Sequence, residues 1–125
     1  MNLVIDIGNT QLKYGLFDQG HHVFHEAVPA SEWRSLEQKL SSYLIDAVII
    51  STVAGFPEGL LSFLKTIADP IVLDEKLPVP ILNAYASPQT LGRDRLANAC
   101  AALALFPGEP VLIIDAGTCL KFDFV

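Results

Sequence analysis

The sequence predicts an α/β domain with a mixed sheet, in which three antiparallel strands are followed by alternating helices and strands. Three observations favour this class. Short apolar runs of strand length recur along the chain, the segments between them carry apolar residues at helical spacing, and turns rich in Gly and Pro separate the two. Since 51% of the 125 residues are hydrophobic, the chain can bury a core of ordinary domain size.

The first three predicted strands form an antiparallel series. Residues 2–7 are a nearly continuous apolar run, which predicts a strand covered on both faces. A tight turn at 8–9 leads into residues 11–18, where apolar and polar residues alternate as in the returning arm of a hairpin. A second turn at 18–20 leads to a third strand at about 21–28.

The next part of the chain predicts helix, strand, helix and strand. Ser31 is a suitable N-cap for an amphipathic helix that runs to about Ser42. A buried strand follows at 45–52, then a helix with Pro57 in its first turn, then a short strand at 71–73. This order of elements is that of the ribonuclease-H-like half of actin-type ATPases, a match of topology alone.

The last third of the chain begins with a proline-rich irregular segment at 74–90, and long loops in compact domains are often functional. A helix begins at 91–95 and ends near Phe106, and another apolar strand, which contains Asp115, then follows. We expect residues 1–107 to form a first ribonuclease-H-like lobe. Residues 108–125 would then be the first hairpin of a second lobe.

Composition and residue spacing exclude several classes of function. The net charge is −6 and the eight Lys and Arg residues are scattered, so no basic stripe for nucleic acid is expected. No segment approaches the ~20 apolar residues of a membrane span, and we expect a cytoplasmic protein. Cys100 and Cys119 have no metal-ligand spacing and are predicted to be reduced and structural. His21, His22 and His25 are predicted to lie on a solvated strand face, because consecutive residues of a strand point to opposite faces.

Two stretches of the chain repeat one pattern: an apolar strand with one aspartate, then a glycine turn and a threonine. Asp6 precedes Gly8 and Thr10, and Asp115 precedes Gly117 near the other end of the chain. Their separation far exceeds the roughly 20 to 50 residues of solenoid repeats and suggests a duplicated domain. A carboxylate in a buried strand is costly to desolvate unless a cation is nearby. The two patterns therefore predict two loops that grip a metal-bound polyphosphate from opposite sides.

The first loop offers the groups that phosphate binding needs. Lys13 can place a point charge on phosphate oxygens, and Asp6 can hold Mg²⁺ directly or through water. For this loop alone, a plain Gly-Asn hairpin turn with a partly exposed aspartate is an equally good interpretation.

Asp94 lies at a predicted helix start, after Gly92 and between Arg93 and Arg95. Helix starts favour anions, and flanking arginines would keep the carboxylate ionised. An ionised carboxylate can accept the proton of a hydroxyl that attacks a phosphoryl group. The alternative is a helix cap within a surface ion-pair cluster.

The segments 6–10, 92–95 and 115–118, in this order and spacing, resemble those of the type III pantothenate kinases. The resemblance implies the duplicated ribonuclease-H-like fold of the acetate kinase, sugar kinase, heat-shock chaperone and actin superfamily. It also implies ATP-dependent phosphorylation of pantothenate to 4′-phosphopantothenate, the first step of coenzyme A synthesis, by a homodimer that uses Mg²⁺. One departure is that Cys119-Leu120-Lys121 follow the second loop, where the family commonly has Ala-Thr or Thr-Thr.

By position, the resemblance implies a role for each motif residue. Asp94 would be the general base, and Asp115 would bind an activating monovalent cation, K⁺ or NH4⁺. The pantothenate-binding residues would be Tyr85, Gly92, Arg93, Asp94 and Arg95. The ATP-binding residues would be Asp6, Ile7, Gly8, Asn9, Thr10, Gln11, Leu12, Lys13 and Thr118.

Two other functions stay open at the level of sequence. The Bvg accessory factor proteins share these motifs and are linked to transcription control, so the chain could be a non-catalytic regulator. The same fold could also phosphorylate another small hydroxylated substrate.

Overall fold

Five strands form a mixed sheet in the computed structural model, which describes residues 1–74, 76–117 and 119–125. The strands are β1 (Asn2–Ile7), β2 (Gln11–Asp18), β3 (His21–Pro29), β4 (Ala47–Thr52) and β5 (Pro70–Val72). Their order in the sheet is β3-β2-β1-β4-β5. The pairs β1–β2 and β2–β3 are antiparallel, whereas β1–β4 and β4–β5 are parallel. The predicted mixed α/β class is confirmed.

Two helices pack against this sheet, α1 (Ser35–Leu40) and α2 (Leu60–Ile67). Their buried leucines share one core cluster with alternate residues of the first strand, Leu3, Ile5 and Ile7. Val4, between them, is 38% exposed. The prediction that β1 is covered on both faces is therefore wrong. Successive side chains of a strand point to opposite faces, and among the described residues only the face of Leu3, Ile5 and Ile7 lies in the core.

The second hairpin carries a bulge that changes which histidines share a face. Gln19 and Gly20 form its turn, both with positive φ, as a type I′ hairpin turn requires. The register shifts between Leu16 and Phe17, and this shift leaves Val23 as the extra residue of β3. His22 and His25 therefore face the same side of the sheet, with Nε2 and Nδ1 3.2 Å apart. All three histidines are exposed, as predicted.

The predicted helix from Ser31 to Ser42 is shorter in the structure. A single 3-10 turn, Ala30–Glu32, comes first without a side-chain cap, and the α-helix begins at Ser35. The hydroxyl of Ser35 donates to the carbonyl of Glu32 and closes the intervening turn, in which Trp33 is buried. The apolar spacing was a correct guide to the core but not to helix continuity.

Three other predicted boundaries also shift. Helix α2 begins at Leu60 and not near Pro57, whose carbonyl instead accepts from the Leu60 N–H in a turn. Strand β4 begins at Ala47, two residues after the predicted start. Strand β5 covers Pro70–Val72, one residue before the predicted range.

The chain divides into two units, Met1–Leu73 and Asp74–Val125. The second contains α3 (Arg93–Leu105) and an antiparallel hairpin of β6 (Leu112–Ala116) and β7 (Leu120–Phe124). The division into lobes at residue 107 stays a prediction. Among the described residues, no helix is long and apolar enough to cross a membrane.

Candidate active site

In the first unit, Asp6 and Lys13 are register partners on adjacent antiparallel strands. On its other side Asp6 is the register partner of Ser51 in β4. Asp6 and Lys13 both line a groove of about 450 Å³ in this unit. No ion pair joins them within the described ranges, so both charges can serve a ligand.

The turn between β1 and β2 is closed by its own backbone. The N–H of Gly8 donates to the carbonyl of Gln11 at 2.9 Å. Asn9, Thr10 and Gln11 are exposed at this turn. Of the other predicted ATP-binding residues, Ile7 and Leu12 have side chains in the core, so only their backbones can meet a ligand.

In the second unit, the carboxylate of Asp94 lies in the first turn of α3 and has two different partners. One oxygen, Oδ1, accepts from the backbone N–H of Arg95 at 2.9 Å, and the other, Oδ2, accepts from the ammonium group of Lys121. Burial raises the pKa of Asp94, but the hydrogen bonds from Lys121 and the Arg95 N–H outweigh it. The net pKa lies below the usual value of an aspartate, so the carboxylate is ionised near neutral pH.

The same ammonium group also reaches Asp115. Lys121 Nζ donates to Asp115 Oδ2 at 3.1 Å, and the two residues are register partners across the β6–β7 hairpin. The side chains of Asp94 and Asp115 are each 32% exposed, and that of Lys121 is 29% exposed. Hydrogen bonds to Asp94 and then to Asp115 raise the pKa of Lys121 above its ordinary value. Lys121 is thus a fixed cation between the two carboxylates.

The guanidinium of Arg95 does not hold Asp94 as predicted. Arg95 pairs with Asp123 instead, with Nε 3.1 and 2.9 Å from its two oxygens. Arg93 Nη1 donates to the carbonyl of Leu91 at 3.3 Å. Residues adjacent in a helix point about 100° apart, so the side chains of Asp94 and Arg95 reach different partners. The cation that keeps Asp94 ionised is Lys121.

Tyr85 and Arg95 meet at a cavity of about 390 Å³ within the second unit. The Arg95 guanidinium lies 5.2 Å from the centre of the Tyr85 ring, a cation–π contact. Leu96, Phe122 and Asp123 also line this cavity, which therefore combines apolar walls with a charged pair. Arg93 lines a separate cavity of about 110 Å³.

Gly92 is the N-cap residue of α3, and its lack of a side chain leaves room for Asp94. A Cβ at this position would collide with Asp94 Oδ1.

Among the predicted site residues, the structure brings Asp94 and Asp115 together through Lys121, and Tyr85 and Arg95 together at one cavity. Thr118, predicted to contact ATP, lies outside the described residues.

Comparison with known proteins gives the family. The sequence model of the family described as type III pantothenate kinase matches residues 2–125. The chain belongs to this family.

Curated relatives named type III pantothenate kinase match over nearly the whole chain. That of Bacteroides fragilis is 41% identical over 126 residues, which cover 100% of this chain and 52% of the relative. Those of Phocaeicola vulgatus and Christiangramia forsetii are 40% and 39% identical, covering 100% and 98% of this chain and 52% and 51% of the relative. The chain thus spans about half the length of the curated relatives that it matches.

Within this pantothenate kinase family member, sequence reasoning missed Lys121 and Asp123 as parts of the site. Both lie on β7, where Leu120, Phe122 and Phe124 alternate with the two charged residues. Period-two alternation places the two charges on one face of the strand, opposite the apolar residues. That pattern was the available signal, but it does not identify the partners on α3.

The two cysteines differ in exposure. Cys119 is exposed, whereas Cys100 on α3 is partly buried, and this burial raises the pKa of its thiol. Both are free thiols, as expected from their spacing.

Proposed function

We propose that the full-length protein transfers the γ-phosphoryl group of ATP to pantothenate, the activity that the names of its relatives state. Family membership over residues 2–125 supports this proposal. We also propose the finer fold that the family resemblance implies, a duplicated ribonuclease-H-like core of which this chain supplies a part.

The observation that carries the proposal is the state of Asp94. Its carboxylate is ionised, fixed through both oxygens and placed one residue from Arg95, which lines the cavity with Tyr85. A general base needs an ionised form and a fixed direction toward the proton it takes. A pantothenate molecule in this cavity would contact Tyr85 and Arg95, with Asp94 next to Arg95 in the first turn of α3.

In the proposed chemical step, Asp94 acts as the general base. Asp94 takes the proton of the primary hydroxyl of pantothenate as that oxygen forms a bond to the γ-phosphorus. The bond from the γ-phosphorus to the β–γ bridging oxygen breaks, and its electron pair leaves with ADP. The proton stays on Asp94 until solvent removes it, which returns the carboxylate to its ionised form.

The nucleotide would be held by the loop of residues 6–13, together with Thr118. Lys13 would place its charge on phosphate oxygens, and Gly8, Asn9 and Thr10 would offer backbone N–H groups and a hydroxyl. The residues fit Mg²⁺ at Asp6, since its carboxylate lies in the Lys13 groove without an ion pair to Lys13. Magnesium, when bound, would neutralise charge on the phosphate oxygens.

The contacts of Asp115 fit a free monovalent cation less well than those of Asp6 fit Mg²⁺. The oxygen that would bind K⁺ or NH4⁺ already accepts from Lys121 at 3.1 Å. The proposed mechanism therefore needs no free monovalent ion at Asp115. A cytoplasmic location, expected from the sequence, and a homodimer that completes the pantothenate pocket, implied by the family resemblance, remain part of this proposal.

Calorimetric titration of the full-length protein with ATP and with pantothenate, followed by mass analysis of the products, tests the proposal. We expect binding of both and formation of 4′-phosphopantothenate and ADP. Binding of neither would overturn the proposal in favour of a non-catalytic regulator. Phosphorylation of a different alcohol from a panel of small hydroxylated compounds, with pantothenate inert, would overturn the substrate assignment alone.

A further inference from the structure

We propose that Lys121 is a positioning residue that supplies a positive charge between Asp94 and Asp115, so that this protein takes no free monovalent cation at Asp115. The role of Lys121 in catalysis rests on the proposed function. Its role as a substitute for an ion affects cation binding and protein stability, and it does not depend on turnover.

The contacts of the ammonium group carry the inference. Lys121 Nζ donates to Oδ2 of both aspartates, one on α3 and the other on β6. A free cation on the same oxygen of Asp115 would lie close to the ammonium group, among side chains that are each only about a third exposed. Two like charges at such a distance repel strongly where water is partly excluded.

The fold makes this ammonium group a permanent neighbour. Lys121 and Asp115 are directly opposite each other in the β6–β7 register, so the hairpin itself sets their separation. A tethered group competes with free ions at a high effective concentration. We therefore expect Lys121 to outcompete K⁺ or NH4⁺ for this position.

The same contact also orients Asp94. The backbone N–H of Arg95 holds Oδ1, and Lys121 holds Oδ2, so the plane of the carboxylate is fixed from two sides. A freely rotating carboxylate would lose the defined geometry that proton transfer requires. Lys121 thus acts on the hydroxyl of the substrate only through Asp94.

The test compares thermal unfolding of the full-length protein in equal concentrations of KCl, NH4Cl and choline chloride, since choline is too large for the space of one ammonium group. For the natural sequence we expect the same unfolding midpoint in all of these salts. For Lys121→Ala, which empties the space, we expect K⁺ and NH4⁺ to raise the midpoint by about 3 °C over choline. Lys76→Ala is the matched control: Lys76 is an exposed lysine of the same unit that bonds Asp74 through its backbone N–H.

The double variant Lys121→Ala, Asp115→Asn should lose the gained response to K⁺, which assigns that response to this position. A midpoint of the natural sequence that K⁺ raises over choline would overturn the inference, even if no variant folds. An unresponsive Lys121→Ala would overturn it as well. Failure of the proposed function is a separate result. It would appear as no pantothenate phosphorylation in any salt, and the unfolding midpoints would still test whether Lys121 takes the place of a cation.

Discussion

The ammonium group of Lys121, on β7, donates to the carboxylate of Asp94, 27 residues earlier in the first turn of α3. This contact fixes the start of a helix to the strand that follows it in the same unit. It places a cation on the carboxylate that the proposed reaction needs in its ionised form. The chemistry of Asp94 therefore depends on a residue that lies outside every motif of the sequence.

Gly92→Ala should reduce phosphorylation without unfolding the protein. The added Cβ would collide with Asp94 Oδ1 and push the carboxylate from its position, while the backbone φ of −57° suits alanine. We expect a loss of turnover on the order of a hundredfold, since small misplacements of a reacting group have such effects. Steady-state kinetics and thermal unfolding of the full-length protein measure the two effects.

The control for this variant is Ala101→Gly, at an exposed position of α3. It should destabilise the helix by about 1 kcal/mol and leave turnover unchanged. Equal turnover of Gly92→Ala and the natural sequence would show that the position of the Asp94 carboxylate does not matter.

Asp123→Asn should destabilise the second unit. The side chains of Arg95 and Asp123 are 22% and 19% exposed, and the substitution removes the charge that faces the guanidinium. We expect a loss of about 1–3 kcal/mol, the usual cost of leaving a partly buried charged group without its partner. Urea unfolding measures it, with the exposed Glu109→Gln as control. A loss no larger than that of the control would mean that the pair is only a surface contact.

Tyr14 should titrate at unusually high pH. Its burial raises its pKa above 10.0, and its hydrogen bond to Glu26, at 2.7 Å, adds to this effect. A group whose pKa is raised by folding stabilises the fold fully below its unfolded pKa, and this contribution is lost as pH rises through the folded pKa. Stability should therefore decline above about pH 10, and Tyr14→Phe should weaken this decline.

The difference in tyrosinate absorbance between the natural sequence and Tyr14→Phe gives the titration of Tyr14 itself. Circular dichroism recorded on the same samples shows whether the fold persists. A midpoint at or below pH 10 in folded protein would contradict the buried, hydrogen-bonded state of this hydroxyl.

Two adjacent isoleucines of β4 test the one-sided core. Ile50 is 0% exposed and Ile49 is 36% exposed. We expect Ile50→Ala to lower the free energy of unfolding by about 2–5 kcal/mol, because it leaves a cavity. Ile49→Ala should cost clearly less, and chemical unfolding of both variants measures the difference. Equal losses would mean that both faces of the strand are buried in solution.

The sequence could predict what depends on neighbours along the chain. Alternation identified the β1–β2 hairpin and the buried face of Leu12 and Leu16, because a strand repeats every two residues. It could not predict the bulge opposite Leu16 and Phe17, which depends on pairing between strands.

The same limit applies to the site. Asp94 and its helix start were predictable from local signals, but the choice of Lys121 over the neighbouring arginines was not. That choice depends on how α3 and β7 pack and on the direction in which each side chain leaves the helix. Sequence motifs identify groups that can react, whereas long-range packing decides which charges they meet.

The most direct test of this account is the rate of ATP-dependent pantothenate phosphorylation by the full-length protein and its Asp94→Asn variant. The variant keeps the shape of the side chain but cannot take the proton. We expect turnover to fall by about 10²- to 10⁴-fold while calorimetry shows nearly unchanged ATP binding. Turnover close to that of the natural sequence would contradict the role of Asp94 as general base.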